Sequence, residues 1–332
     1  MRDAASAVVI AAVEGLELTP DEERFFKEES PAGVTLFRRN FPQDNFQNVA
    51  RLNASLQASR GSGAPPMVIA IDQEGGRVSR IAAPFPNLGP AMAIEDGRFD
   101  RSALTRLRQY GQDVGRSLRD IGINVDFAPV LDVLTEATNL AIGDRCFGTT
   151  PEQVTPRAEA FMSGLHSERV MGCLKHFPGQ GDARVDTHQG TAVIDVSLQT
   201  LITRELVPFK ALATKCPMVM ISHSIFPVLD DLEASRSRII IMDWLRARLG
   251  FEGVVVSDDM NMGALPQQIA EWKNVLIDTV AAGCDALLVC RHLDRCYAAL
   301  DALRAEAKKS PAFSARLDDA ARRVTSMRHA LI

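Results

Sequence analysis

Eight short apolar runs recur along the chain, and they constrain the fold more than any other feature of the sequence. Uninterrupted stretches of about four to eight Val, Ile and Leu residues are typical of strands that are buried on both faces of a parallel sheet. In chain order the runs are AVVIAA (7–12), GVTLF (33–37), MVIAI (67–71), NVDFAPV (124–130), GCLKHF (172–177), MVMIS (218–222), GVVVS (253–257) and ALLVC (286–290).

Helix-like segments lie between most of these runs. Residues 101–122 and 151–170 carry apolar side chains at spacings of three and four, and Gly250 ends a third such segment as a predicted C-cap. Strands that alternate with helices predict an α/β fold, a single-domain (β/α)8 TIM barrel over residues 1–332. SRGSGAPP (59–66) reads as a helix-to-strand loop and not as a linker. A doubly wound sheet is the alternative, but no GxGxxG motif follows the first run and no phosphate-binding P-loop motif occurs.

The composition and the charge argue against several classes of protein. The 332 residues are 46% hydrophobic and 24% charged, which is typical of a globular protein with a sizeable core. A net charge of −5, with Lys and Arg dispersed along the chain, argues against a nucleic acid or an anionic membrane as the partner. The N-terminal apolar run is short and follows Asp3, so we expect no secretory signal, no membrane insertion and a cytoplasmic location. The six cysteines lack a CxxC pair, which predicts buried thiols and neither a disulfide framework nor a zinc site.

Titratable residues follow most of the apolar runs, at the end where each run stops. Active sites of (β/α)8 barrels gather at this C-terminal end of the strands. The residues are Asp72 after the third run, Asp132 and Arg145 after the fourth, Lys175 and His176 in the fifth, His223 after the sixth, Asp258 and Asp259 after the seventh, and Arg291 and His292 after the eighth. The sequence therefore predicts a barrel mouth that is rich in carboxylate, imidazole and cationic groups.

Such a set of groups fits a retaining glycosidase, which needs a carboxylate nucleophile and an acid/base group about 5–5.5 Å apart. Asp258 is the candidate nucleophile, because the end of an apolar strand would hold it rigidly. Asp186 and His188 are candidates for a dyad in which the carboxylate orients the imidazole that protonates the leaving oxygen. The candidates for charge-assisted hydrogen bonds to sugar hydroxyls or to an acetamido group are Asp72, Arg80, Arg145 and Lys175.

Structural roles are the alternative for each of these residues. Asp258 or Asp259 would also serve as a helix N-cap, and alternation along the strand does not separate the two, because the strand end is uncertain by about two residues. Asp186 would also form an Asx turn beside a solvated His188. His223 would also fit a core position in which the protein itself satisfies its ring nitrogens.

The segment KHFPGQGDARVDTHQG (175–190) resembles the KHFPGHG…DSH loop of bacterial β-N-acetylhexosaminidases of glycoside hydrolase family 3. Further segments that resemble the family follow in order along nearly the whole chain: GVTLFRRNF, AIDQEGGRVSR, FAPVLDV, IGDRCFG, SHSIFPVLD, EASRSRIII, GFEGVVVSDDMNMGAL and AGCDALLVC. A series of this kind is much more specific than any single motif.

The resemblance implies a (β/α)8 barrel, a role for each matching residue, and no metal or organic cofactor. It makes Asp258, the first Asp of SDDM, the nucleophile that forms a glycosyl-enzyme intermediate. His188 becomes the general acid/base, and Asp186 becomes its partner on a mobile loop. The residues that correspond to the binding site for the terminal N-acetylglucosamine are Asp72, Arg80, Arg145, Lys175 and His176.

The resemblance also implies the substrate and the domain organisation. Family 3 glucosidases and xylosidases usually carry a second domain that supplies the acid/base carboxylate, whereas here the loop with His188 would supply that group within one barrel. Single-domain cytoplasmic members of the family serve peptidoglycan recycling: they remove β-linked N-acetylglucosamine from 1,6-anhydro-N-acetylmuramic acid, with or without its stem peptide. We therefore expect a small-molecule muropeptide or amino-sugar substrate and a monomeric enzyme, and the preferred aglycone stays open.

Two positions depart from the loop of the family. Gln180 stands where the second histidine of KHFPGHG is found, and Ala192 stands where a proline usually follows DSH. Glutamine donates or accepts a hydrogen bond but does not titrate, so a positional role is predicted for Gln180. The missing proline should leave the exit of the loop less restricted.

Three other functions compete with this interpretation. A metal-dependent barrel hydrolase is one, although the first strand lacks an HxH pair. Its possible ligands would be His176, His188, His223 and Asp258. A sugar-binding protein without activity is the second, and the intact nucleophile and dyad argue against it. A phosphorolytic enzyme is the third, because a neutral histidine repels phosphate less than a carboxylate does.

Overall fold

A closed ring of parallel strands forms the centre of the molecule. The structure, a computed structural model, describes residues 3–41, 46–60, 63–93, 101–136, 138–184 and 190–331. The strands are β1 Val9–Ala12, β2 Gly33–Leu36, β3 Val68–Ile71, β4 Val125–Asp126, β5 in two pieces (Met171–Gly172 and Leu174–Phe177), β6 Met218–Ile221, β7 Val254–Asp259 and β8 Ala286–Leu288. Neighbours pair in the order β4, β3, β2, β1, β8, β7, β6, and the two pieces of β5 pair with β4 and with β6, so the ring closes. The predicted (β/α)8 TIM barrel is confirmed.

Helices follow the strands and surround the ring. They are α1 Pro20–Glu29, α2 Phe46–Ser59, α3 Arg101–Asp120, α4 Pro151–Ser167, α5 in three pieces (Leu198–Thr200, the π-helical Leu201–Glu205 and Leu206–Leu212), α6 Ile239–Arg248 (π-helical), α7 Ile269–Ala282, α8 Leu293–Lys309 and α9 Pro311–His329. The predicted C-cap at Gly250 is displaced by one residue: Leu249 is the C-cap of α6, and Gly250 follows it with φ +68°. Glycine tolerates this left-handed conformation at low cost, which explains its position just after the helix.

The start of α1 illustrates how local sequence defines an element. The Thr19 hydroxyl accepts a hydrogen bond from the backbone N–H of Glu22 (3.2 Å), and the Glu22 carboxylate accepts one from the N–H of Thr19 (2.8 Å). This reciprocal capping box, with Pro20 as the first helical residue, satisfies N–H groups that the helix itself leaves free. Glu22 also accepts a hydrogen bond from the N–H of Glu14 (2.8 Å), which fixes the loop after β1 to the same helix end.

Both faces of the strands are buried, which explains why the runs are continuously apolar. Along β1, Ile10 belongs to the cluster inside the barrel, while Val9 and Ala11 belong to the cluster between strands and helices. Along β3, Ala70 faces the inside and Ile69 faces the helices. Side chains that fill the interior of the barrel make it a packed core, so ligands have access only to its ends.

No helix within the described ranges is both long enough and apolar enough to cross a membrane. The six cysteines are all buried and free.

Candidate active site

A cavity of about 330 Å³ opens at the C-terminal ends of the strands, a size at the lower end of the range for small-molecule sites. Its lining residues are Asp72, Arg77, Val78, Arg80, Ala141, Arg145, Lys175, His176, Gln180, Met220 and Asp258. The structure thus brings the five predicted sugar-binding residues and the predicted nucleophile together in one cavity. Asp186 and His188 lie outside the described residues.

Lys175, at the start of the KHFPGQG segment, binds two carboxylates at the end of β3. Its Nζ donates to Asp72 Oδ1 (2.7 Å) and lies 2.5 Å from Glu74 Oε1, and its side chain is only 1% exposed. Burial alone would lower the pKa of Lys175, but the two carboxylates raise it well above its ordinary value. Burial alone would raise the pKa of Asp72, but Lys175 and Arg80 hold it well below its ordinary range. Asp72 is therefore ionised at neutral pH and presents a strong hydrogen-bond acceptor at the cavity wall.

Glu74, which the sequence analysis does not predict, contacts two of the predicted site residues, Arg145 and Lys175. Its two oxygens accept from Nε and Nη2 of Arg145, both at 2.8 Å. Burial would raise the pKa of Glu74, but Arg145 and Lys175 lower it to about 2. Arg145, predicted to bind sugar oxygens, thus has two of its nitrogens occupied by a carboxylate while the side chain still lines the cavity. Its bidentate partner holds the guanidinium in one orientation. A signal is present in the sequence, since Glu74 lies two residues after Asp72, just past the end of the third apolar run.

His176 is oriented by the buried Asp132. Its Nδ1 lies 2.7 Å from Asp132 Oδ2, and Asp132 Oδ1 accepts from the backbone N–H groups of His176 (3.3 Å) and Gln180 (2.7 Å). A carboxylate at this distance makes Nδ1 the nitrogen that carries the hydrogen. In the neutral ring Nε2 is then an acceptor, at a residue that lines the cavity.

The geometry separates Asp258 from Asp259, which strand alternation does not. Asp258 lines the cavity, and its Oδ1 accepts one hydrogen bond, from the N–H of Asp259 (2.8 Å). Asp259 Oδ1 instead accepts from the N–H and the side-chain amide of Asn261, both at 3.0 Å, and from the N–H of Cys290 (3.3 Å). Asp259 thus stabilises the turn after β7, whereas Asp258 faces the cavity.

His223, Arg291 and His292 do not line the cavity. His223 is fully buried, and its Nδ1 lies 2.8 Å from the Ser235 hydroxyl, while burial lowers its pKa. Its Nε2 is buried and has no hydrogen-bond partner among the described residues, so the core interpretation holds for only one of the two ring nitrogens. His292 is exposed and lies 3.5 Å from Glu14. The His176 and His223 rings therefore have separate partners, and among the described residues no group of three or more His, Cys, Asp or Glu side chains is placed to hold a metal ion.

Two glycines set the path of the loop that leads toward Asp186 and His188. Gly179 has φ +132°, a conformation that favours glycine. A Cβ on Gly181 would overlap the backbone carbonyl of Val133, so only glycine fits this close approach. Gly181 is thus explained by its packing against the segment after β4, and Gly179 by its backbone conformation.

Comparisons with known proteins agree with the resemblance. Residues 9–327 match the glycosyl hydrolase family 3 N-terminal domain. The β-hexosaminidase of Stenotrophomonas maltophilia (strain K279a) is 36% identical over 293 residues, which cover 85% of this chain and 83% of that protein.

Solved structures extend the likeness to three dimensions. A glycoside hydrolase family 3 β-N-acetylglucosaminidase from Paenibacillus sp. strain FPU-7 superimposes with a TM-score of 0.90 at 32% identity, over 100% of this chain and 63% of that chain. NagZ from Neisseria gonorrhoeae, in complex with N-trifluoroacetyl-D-glucosamine, gives a TM-score of 0.79 at 28% identity, over 95% of this chain and 97% of that chain. The chain therefore belongs to glycoside hydrolase family 3, among relatives that are β-hexosaminidases.

Proposed function

We propose that this chain is a retaining β-N-acetylhexosaminidase that removes terminal β-linked N-acetylglucosamine from peptidoglycan fragments. The hexosaminidase class rests on the family and on the β-hexosaminidase relatives. One observation supports the mechanism: Asp258 lines the same cavity as the ionised Asp72 and the cations Lys175 and Arg145. This is the composition needed to hold a sugar by its hydroxyls next to a carboxylate nucleophile.

The first step of the reaction is attack of the Asp258 carboxylate on C1 of the sugar. As the C1–oxygen bond breaks, His188 gives its proton to the leaving oxygen, and the products are the free aglycone and a glycosyl ester on Asp258. In the second step His188 takes a proton from water, and the oxygen of that water attacks C1. N-acetylglucosamine leaves, and Asp258 and His188 return to their starting states. Asp186 orients the His188 ring in both steps.

The other charged residues that line the cavity would hold the sugar. Asp72 accepts hydrogen bonds from hydroxyl groups, since its pKa keeps it ionised. Arg80 and Lys175 neutralise the two carboxylates beside them, and Glu74 fixes Arg145 so that few conformations have to be ordered when the substrate binds. A cavity of about 330 Å³ suits one terminal sugar with the aglycone outside, hence an exo-acting enzyme.

The substrate, location and organisation follow the family resemblance. A related NagZ crystallises with N-trifluoroacetyl-D-glucosamine, which supports an amino sugar as the ligand. The fragment proposed is N-acetylglucosamine on 1,6-anhydro-N-acetylmuramic acid, with or without peptide, cleaved in the cytoplasm by a monomer. The barrel of residues 1–332 would supply all the catalytic groups, with His188 in place of a carboxylate from a second domain.

Release of 4-nitrophenol from its β-N-acetylglucosaminide, beside the β-glucoside, tests this function. We expect the wild type to cleave only the acetamido substrate and Asp258→Ala to be inactive. We expect His188→Ala to lose less activity on 4-nitrophenol, a good leaving group, than on a disaccharide whose leaving oxygen needs a proton. An inert wild type, or full activity in Asp258→Ala, would refute the assignment.

Phosphorolysis by the same site is the second candidate, because the acid/base group is a histidine. The two reactions differ in the nucleophile of the second step, water or phosphate. Product analysis in phosphate and in a non-coordinating buffer separates them, since N-acetylglucosamine 1-phosphate forms only by phosphorolysis. Activity that disappears with a chelator would instead favour the metal-dependent hydrolase.

A further inference from the structure

Gln180 has an unusual position in the cavity wall. The residue is 3% exposed and lines the same cavity as Asp258 and His176. Within the described part of the chain, its side-chain Nε2 is buried and has no hydrogen-bond partner. Most buried polar groups in proteins are paired, and those that are not are often found where a ligand completes them.

The backbone of Gln180 is fixed on both sides. Its N–H donates to Asp132 Oδ1 (2.7 Å), and its carbonyl accepts from Asn139 Nδ2 (2.7 Å). The next residue, Gly181, packs directly on the carbonyl of Val133. The side chain is therefore held at the cavity wall, and shifting the backbone to find a partner inside the protein would break these contacts.

Arg80 shows the same feature at the same cavity. Its Nε is also buried and has no hydrogen-bond partner among the residues that the structure describes, although its Nη2 donates to Asp72 (3.2 Å). Arg80 was predicted to bind sugar, whereas Gln180 was given a positional role only. An uncharged amide N–H in this place pairs with an oxygen acceptor of the ligand, either a hydroxyl or an acetamido carbonyl.

We propose that Gln180 is a substrate-binding residue, whose Nε2 donates a hydrogen bond to an oxygen of the sugar that occupies the cavity beside Asp258. This role rests on the proposed function, since it needs an amino sugar in the cavity. It places one specificity contact on the loop that leads to His188, at a position where the resembling motif has histidine.

Gln180→Met tests the role, with Gln57→Met as its matched control. Both substitutions replace an amide by a thioether of similar length. The Gln57 amide is fully used inside the protein: Nε2 donates to the Met67 carbonyl and Oε1 accepts from the Met67 N–H, both at 2.9 Å. The readouts are the Kd for N-acetylglucosamine by calorimetry, kcat/KM on the nitrophenyl substrate, and Tm.

We expect Gln180→Met to weaken N-acetylglucosamine binding roughly 5- to 30-fold, the loss of one hydrogen bond to an otherwise unpaired donor, without lowering Tm. Gln57→Met should lower Tm and leave Kd unchanged. Deoxy analogues and glucosamine then identify the acceptor oxygen, because the analogue that lacks it should bind equally to wild type and Gln180→Met.

Two results would overturn the role of Gln180 alone: an active wild type whose Gln180→Met variant binds within twofold as tightly, or a weakening that persists equally with every analogue. A wild type that neither binds N-acetylglucosamine nor cleaves the nitrophenyl substrate would refute the proposed function as well.

Discussion

Replacing Lys175 by methionine should destabilise the protein in a way that depends on pH. The substitution keeps the length and the apolar stem of the side chain and removes only the ammonium group. Nζ lies between Asp72 and Glu74, whose side chains are 19% and 3% exposed. Among the described residues, Arg80 would remain as the cationic partner of Asp72, and Arg145 as that of Glu74.

Removing one partner from a buried ion pair costs about 3 to 5 kcal/mol, since the other charge stays buried. Because each carboxylate retains an arginine, we expect Lys175→Met to lower the free energy of unfolding by about 3 kcal/mol at neutral pH, the lower end of this range. We also expect kcat/KM to fall by about 100-fold, because Asp72 would lose the contact that holds it at the cavity wall.

The pH dependence follows from Glu74. Its pKa is lowered from 4.5 to about 2 in the wild type. The ion pairs of Glu74 therefore stabilise the fold fully above about pH 4.5, and this stabilisation is lost as the pH falls toward 2. The variant lacks part of that contribution. The difference in unfolding free energy should therefore be full at pH 7 and should narrow below about pH 4.5.

Urea unfolding followed by circular dichroism, at pH 7 and pH 3, measures this difference. Lys215→Met is the control, because Lys215 pairs with Glu159 at 2.6 Å on the surface, where the side chains are 52% and 40% exposed. It should change stability by less than about 1 kcal/mol. If Lys175→Met loses no more stability than the control, or loses the same amount at both pH values, Lys175 is not the cation that stabilises the buried Asp72 and Glu74 carboxylates.

Three further substitutions test other parts of the site. Asp259→Ala should retain measurable nitrophenol release, unlike Asp258→Ala. It should lower the free energy of unfolding by about 1 to 3 kcal/mol, because the hydrogen bonds from Asn261 and Cys290 are lost. Equal inactivation of both variants would contradict the different roles assigned to the two aspartates. Burial raises the pKa of Glu205 from 4.5 to about 7, so its ionisation destabilises the folded state as the pH rises between these values. Because glutamine does not ionise, Glu205→Gln should gain stability relative to wild type over that interval, and the gain should stay constant at higher pH. A stability difference between the two proteins that does not vary with pH in urea titrations would contradict this expectation. Gly181→Ala should lower stability by about 3 kcal/mol and reduce turnover, as its Cβ overlaps a backbone carbonyl; unchanged thermal unfolding would show that the loop adapts.

The sequence was most informative where one residue type has one physical meaning. Continuous apolar runs located all eight strand positions, because both faces of a barrel strand are buried. Titratable residues at the ends of these runs located the cavity, since parallel strands bring their C-terminal ends to one face. Asp72, Lys175 and Asp258 followed directly from this reasoning.

The contacts between these residues could not be predicted in the same way. Glu74 and Arg145 are 71 positions apart, and no local pattern indicates that they form a bidentate pair. Alternation assigns a face to Asp258 or Asp259 only if the end of the strand is known. The hydrogen bonds that Asp259 accepts in the turn after β7 show directly which of the two aspartates has a structural role. The eighth run also shows the limit of position alone, because His292 follows it closely and still does not line the cavity.

The anchoring of the loop after β5 has a consequence for exchanging parts between relatives. Asp132 and Asn139 bond to the backbone of Gln180, Val133 packs against Gly181, and the Thr135 hydroxyl donates to Asp182 (2.8 Å). Residues 132–136 and 138–139 thus form a single interlocking unit with residues 175–184, from a separate part of the chain. A chimaera that imports the loop of another enzyme would need both segments, and recombination points between them would separate a donor from its acceptor.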